Sequence, residues 1–197
     1  MIGDDFCYGA KRAGNYSTLK TAGEQYGFEV SSIHTVHENG ERISSSALRT
    51  ALANGDMTQA NKLLGRHYGI SGHVIHGQQL GRTLGFPTLN LAFANHLHYR
   101  KPATSGIFTA QVIGLTDKPL PAVASIGVRP TVEDEGRVLL ETHIFDYHED
   151  VYGKIITVEL LEKIRDEEKY DSLDTLTQAI AADAKHARNY FQKKIYV

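Results

Sequence analysis

Two hydrophobic rhythms divide the chain. Up to about residue 65 the apolar positions come in helix-length bursts, each closed by a glycine. Tyr16 to Tyr26 predicts a short helix stopped by Gly27, and Ala47 to Asn54 a second one stopped by Gly55. Asp56 caps a third, Met57 to Leu64, which ends at Gly65. Between them Phe28 to Val36 alternates loosely through Phe28, Val30 and Ile33, the pattern of a strand. The opening residues, Met1 to Gly9, place Gly and Asp where a strand has just ended. After Arg66 the period shortens to two. Strands are expected over Tyr68 to His76, over Ile107 to Leu115 and Pro121 to Gly127 as a hairpin, and over Val138 to Tyr147 and Lys154 to Lys163 as another hairpin turned by residues 148–153. About six short strands with evenly spaced turns imply a sandwich or small barrel. Leu173, Leu176, Ile180, Ala184, Ala187 and Phe191 then mark the apolar stripe of a C-terminal helix that packs across the barrel or plugs one mouth. Asp171 or Ser172 is its expected N-cap, with Asp174 in the first turn where the helix dipole favours it.

Composition changes this picture little. The 197 residues are 41% hydrophobic and 22% charged, ordinary for a soluble protein, and the formal net charge is -2. Near-neutral charge argues against a nucleic-acid surface as the main function. A single cysteine, Cys7, excludes an internal disulfide and fits a reducing compartment. No apolar run is long enough for a bilayer, so a cytoplasmic protein without a membrane partner is the expectation. The change of rhythm sets the expected domain boundary, residues 1–65 against 66–197.

The candidate chemistry lies in the second part. Ten histidines invite a metal site, but His73 and His76 fall on opposite faces of a strand, and His96 and His98 have no carboxylate or thiol at a metal-ligand spacing. Gly81-Arg82-Thr83-Leu84-Gly85-Phe86-Pro87-Thr88-Leu89-Asn90 is more informative. Glycines let a backbone approach phosphates, and Thr88 and Asn90, two positions apart, offer neutral oxygens to a hard cation such as Mg²⁺. An unliganded Gly/Pro hairpin loop is the bland alternative. Glu141 sits inside the apolar run Val138 to Phe145, on the face opposite Leu140 and Thr142. It is either an exposed edge position or a general base in a pocket. In the first part, Ser44, Ser45, Ser46 and Arg49 gather at a helix N-terminus, which suits either simple capping or a phosphate.

These motifs, in this order, resemble bacterial bifunctional riboflavin kinase/FAD synthetase over practically the whole chain. Gly81 to Asn90 resembles the flavokinase loop with its Pro-Thr-x-Asn motif. Ser125 to Thr131 resembles the family's Ile-Gly-x-Arg-Pro-Thr segment, and Glu141 to Ile144 the segment with the catalytic glutamate. Tyr152-Gly153 and Arg165 to Leu173 resemble the late barrel strand and the start of the C-terminal helix. The resemblance implies a six-stranded antiparallel Greek-key barrel with a C-terminal helix, mainly β, preceded by a small α/β remnant of a nucleotidyltransferase domain. It implies that Thr88 and Asn90 hold Mg²⁺ and ATP, that Gly81, Arg82, Gly85 and Pro87 shape the loop over the phosphates, and that Glu141 is the catalytic base. Arg165, Asp171, Leu173 and Asp174 would line the flavin site.

Gly3 to Phe6, Gly9, Arg12 and Ile43 to Arg49 resemble the second half of the adenylyltransferase domain, where the serines touch ATP phosphates. The first half, with its His-x-Gly-His motif, has no counterpart, so a fragment with the kinase but not FAD synthesis is expected. Gln79 stands where a basic residue is expected. The implied reaction is phosphorylation of riboflavin by ATP to FMN, with small-molecule partners only. The alternative is a barrel that binds flavin without catalysis, and a nucleic-acid-binding barrel would be a more distant reading.

Overall fold

The structure, a computed structural model, describes residues 1–3, 5–33, 36–38, 41–77, 80–92, 103–128 and 138–195. By its internal contacts the chain divides into Met1–Ser45 and Ser46–Val197.

In the first unit, strand β1 (Ile2–Gly3) pairs in parallel with β2 (Ser32–Ile33) across helix α1 (Tyr16–Tyr26), the minimal α/β arrangement. Asn15 and Thr18 close a reciprocal capping box at the start of α1, so two orphan donors are satisfied at once. The expected strand over Phe28 to Val36 contracts to two residues. Its first N–H is already spent, because Phe28 N donates to Gly23 O as the end of α1 folds back through left-handed Gly27. A short antiparallel pair, β3 (His37–Glu38) and β4 (Glu41–Arg42), completes the unit.

The second unit begins as the chain enters α2 (Ser45–Ala53) and continues with α3 (Met57–Leu64), whose Asp56 cap accepts from Gln59 N at 2.9 Å. Six strands follow: β5 (Tyr68–Ile75), β6 (Leu89–Ala92), β7 (Gly106–Ile113), β8 (Leu120–Val128), β9 (Val138–Ile144) and β10 (Ile155–Arg165). A helical turn, α4 (Leu80–Thr83), sits between β5 and β6, and α5 (Leu173–Ile195) ends the fold. α3 packs against β5 and β10, and Asn61 accepts from Tyr68 N at 2.7 Å to fix the first strand to that helix.

The six strands form a closed antiparallel barrel in the order β10-β5-β6-β9-β8-β7. The β7–β8 hairpin is as expected from the sequence, but β9 and β10 are not a hairpin. Both edges of β9 are taken, by β6 and β8, and β10 crosses to lie between β7 and β5. That crossover is the Greek-key connection, and it closes the sheet. β6, only four residues long, is the strand that sequence periodicity did not resolve.

Alternation fills the interior. Along β9 Val138, Leu140, Thr142 and Ile144 are buried while Leu139, Glu141 and His143 face outward. Ile156, Val158 and Leu160 of β10 do the same beside Phe108, Val112 and Ile126. Each such side chain stabilises the fold by about 1.5–3 kcal/mol. α5 lies across the outer face of β7 and β8 rather than in a mouth. Its small residues Ala184 and Ala187 let it settle on Val123 and Phe145. Ser172 is its cap, accepting from Thr175 N at 3.2 Å. Arg188 donates twice to Asp146 at 2.7 and 2.9 Å, and its guanidinium lies 4.4 Å from the Phe145 ring centre.

Two substitutions probe this core. Leu160→Ala is expected to cost about 2–5 kcal/mol of unfolding free energy in denaturant titration. Thr142→Val should instead stabilise, because the buried Thr142 hydroxyl has no hydrogen-bond partner among the described residues, at a cost of about 1–3 kcal/mol. A lower midpoint for Thr142→Val would contradict that account.

Candidate active site

Strand register, more than any one loop, builds the site. Across the barrel Ile75 opposes Asn90, Asn90 opposes Glu141, Glu141 opposes Ser125, Ser125 opposes Ile107, and Ile107 opposes Arg165. This is one continuous cross-strand row on the outer face. Neighbouring strands lie about 4.8 Å apart, so these side chains are the closest possible neighbours across the sheet. Asn90, Glu141, Ser125, Ile107 and Arg165 all line one cleft of about 270 Å³. The row beside it contributes His143 and Val123, which oppose each other on β9 and β8.

α4 and the turn after it form one wall. Gly81 packs so closely under the Phe86 carbonyl and Thr88 that a Cβ would overlap that carbonyl. Phe86 N returns a hydrogen bond to Gly81 O at 2.8 Å. Gly85 takes φ +83°, open to glycine at no steric cost. Pro87 directs Thr88 and Asn90 into the cleft, and the Pro87 carbonyl is bonded to His143 Nδ1 at 2.8 Å. A carbonyl only accepts, so this nitrogen carries the proton. The His143 ring meets Phe86 and Phe145 edge-on at 5.7 and 5.6 Å between centroids. Asn90 is 5% exposed, and Gly77 leaves room for its carboxamide where any Cβ would collide with it.

The opposite wall is the segment after β10 together with α5. Arg165 donates to both carboxylate oxygens of buried Asp183, at 3.0 and 2.7 Å, and to the Asp166 carbonyl at 3.0 Å. That fork raises the Arg165 pKa above its usual range, chiefly through the hydrogen bonds to Asp183. Tyr170, Leu176 and Ile180 supply apolar lining. Glu167 reaches back over β8. Its carboxylate lies against Gly127, where a Cβ would overlap it, and accepts from Ser125 Oγ at 3.5 Å. Burial raises the Glu167 pKa, and the charge of Glu141 raises it further.

Of the residues expected from sequence, Gly81, Thr88, Asn90, Glu141 and Arg165 meet in this cleft. Arg82, Gly85 and Pro87 belong to the same turn but are exposed and do not line it. Asp171, Leu173 and Asp174 are exposed at the start of α5, and the lining there comes from Tyr170, Leu176 and Ile180 instead. Ser45, Ser46 and Arg49 lie on the first turns of α2, with Ser44 just before it. Gln79, His34, His96, His98 and Arg129 to Thr131 lie outside the described residues. Ser125, His143, Glu167 and Asp183 were not assigned from sequence. A polar or titratable residue on the face shared with Glu141 or Asn90 was the signal for the first two, and nothing local marked Glu167.

The cleft brings the carboxylate of Glu141 together with the oxygen-bearing side chains of Thr88 and Asn90. Thr88 and Asn90 carry neutral oxygens, the donor type that suits Mg²⁺ shared between one or two protein oxygens, phosphate oxygens and water. Among the described residues no group of three His, Cys, Asp or Glu forms an all-protein metal cage.

A family model described as riboflavin kinase matches residues 64–191, and one described as FAD synthetase matches residues 1–47. The bifunctional riboflavin kinase/FMN adenylyltransferase of Escherichia coli (strain K12) is 46% identical over 96% of this chain and 59% of its own length. The Haemophilus influenzae protein of that name is 41% identical over 96% and 60%. A Streptococcus pneumoniae protein whose crystal structure is described as that of a macrolide-efflux protein superposes with a TM-score of 0.73 at 32% identity, over 95% of this chain and 60% of that one. The chain thus spans about three-fifths of the length of these relatives. No described helix is long and apolar enough to cross a membrane. With a barrel, a cleft and a matching model over most of its length, the chain belongs to the riboflavin kinase family.

Proposed function

We propose that this chain transfers the terminal phosphoryl group of ATP to the 5′-hydroxyl of riboflavin, giving FMN and ADP. The row Asn90–Glu141–Ser125 facing one cleft is the observation that carries this reading. Phosphoryl transfer asks the protein mainly for positioning and charge neutralisation. Thr88 and Asn90 would hold Mg²⁺ with ATP, and the cation would offset phosphate charge. Glu141, one strand away from Asn90, takes the proton of the attacking hydroxyl. Gly81, Arg82, Gly85 and Pro87 shape the turn on the nucleotide side. Arg165, with Tyr170 and the first turns of α5, borders the flavin side, and Asp171, Leu173 and Asp174 belong to the same stretch. His143 fixes the turn by its bond to Pro87, so the Mg²⁺ side and the base share one support.

Residues 66–197 are the kinase domain in this reading, and 1–65 the later part of an adenylyltransferase domain in which Ser44, Ser45, Ser46 and Arg49 would face nucleotide phosphates. Riboflavin and ATP are the partners, without nucleic acid or membrane, and the reaction belongs in the cytoplasm. FAD formation from FMN and ATP by this chain is not expected, and detecting it would overturn that part. A flavin-binding barrel without catalysis is the second reading. Incubation with riboflavin, ATP and Mg²⁺ separates the two, because a binder makes no FMN.

Glu141→Gln is expected to lower kcat by about two or more orders of magnitude, the usual size for a lost general base, with flavin binding retained. Near-normal turnover would remove Glu141 from this role. Asn90→Ala should raise the Mg²⁺ and ATP concentrations needed for half-maximal rate. Unchanged dependence on both would sink the ligand assignment.

A further inference from the structure

Glu167 occupies a made-to-measure place for which the reaction described above has no use. Its carboxylate lies over Gly127, in the space a Cβ there would take, and beside Ser125, the neighbour of Glu141 in the cross-strand row. Ser125 Oγ is its single hydrogen-bond partner among the described residues, at 3.5 Å, longer than a good O–H···O bond. An ionised carboxylate is acceptor-only and offers about four lone-pair sites, and Glu167 lines the cleft. Burial and the Glu141 charge oppose its ionised form, while the Ser125 hydrogen bond and the Arg165 charge favour it, so added hydroxyl donors would strengthen the same support. A carboxylate in such a place is suited to a ligand rich in hydroxyl donors, because hydrogen bonds to a charged acceptor are about twice as strong as neutral ones.

The row supplies the direction. A substrate that presents its terminal hydroxyl to Glu141 has the remainder of its chain running on past Ser125, towards Ile107 and the apolar lining from Tyr170, Leu176 and Ile180. A fused aromatic ring system fits the apolar end, and a polyhydroxylated linker falls over Ser125 and Glu167. We propose that Glu167, with Ser125, receives the hydroxyl groups of the substrate's polyol arm and so selects ring systems that carry one. This rests on the flavokinase reading and adds to it a group that reads the arm rather than the ring or the phosphate.

The test is fluorescence titration of the full chain with two flavins, riboflavin and lumiflavin, the second having a methyl group in place of the polyol arm. Glu167→Ala should weaken riboflavin binding about tenfold or more, the size of a lost hydrogen bond to a charged group, and leave lumiflavin binding within about twofold. Ser125→Ala should show the same selectivity with a smaller loss, and it keeps the proposal exposed if Glu167→Ala fails to fold. Equal losses for both flavins would assign Glu167 to loop structure alone and overturn the proposal, as would no loss for either. Failure of the unsubstituted chain to bind both flavins would overturn the flavokinase reading together with this proposal, an outcome distinct from the other two.

Discussion

The register of the barrel strands is the constraint on which everything else depends. Side chains on a strand alternate with a period of two, so a slip of one residue exchanges inside for outside. Leu140 and Thr142 have to lie inside for β9 to close the core, and this forces Glu141 and His143 outward. The same condition on β6 buries Leu89 and Leu91 and turns Asn90 to the cleft. The carboxylate needs no special loop to carry it. It is held by the hydrophobic packing of its two neighbours, which lets a group that is expensive to bury stand on the outer face of a closed sheet.

Rigid strands make only one side of the cleft, and the other side is attached through ion pairs. Arg165 ends β10 and Asp183 lies nearly three turns into α5, so their two-pronged contact fixes the helix to the strand that precedes it. Arg188 repeats the arrangement further along, reaching Asp146 just beyond β9. Between the two, Ala184 and Ala187 bring the helix close to Val123. Removing one partner of the Arg165–Asp183 pair would leave a buried charge without compensation, which is costlier than the pair itself is stabilising. The segment from Asp166 to Ser172, with Glu167 and Tyr170, is therefore stretched between two fixed ends and hangs over the cleft. Arg165 consequently has a structural duty as well as a place in the lining.

Local chemistry made much of this legible. Gly27 marks the end of α1, and Asp56 with Gly65 define α3, because helix ends are settled by residues within a turn of them. The alternation in Val138 to Ile144 likewise gave the face that Glu141 occupies. The strand order was not legible in that way. Residues 148–153 read as a hairpin turn, yet β10 pairs with β5 and β7. Which edge a strand joins depends on which edges remain open once the others have paired.

The sequence by itself determined the four longer helices, the strand faces and the chemical types at Thr88, Asn90 and Glu141, since each follows from spacing along the chain, whereas α4 lies in a stretch that reads as a loop. Only the tertiary structure decided what those groups face. Ser125 became Glu141's neighbour through pairing of β8 with β9, and Glu167 came to rest on Gly127, forty residues away in sequence, because the segment after β10 folds back over β8. Such contacts are selected by closure of the whole barrel, and no local pattern encodes them. The lining from Leu176 and Ile180 has the same origin, because α5 is brought to the sheet by its packing on Val123 and Phe145.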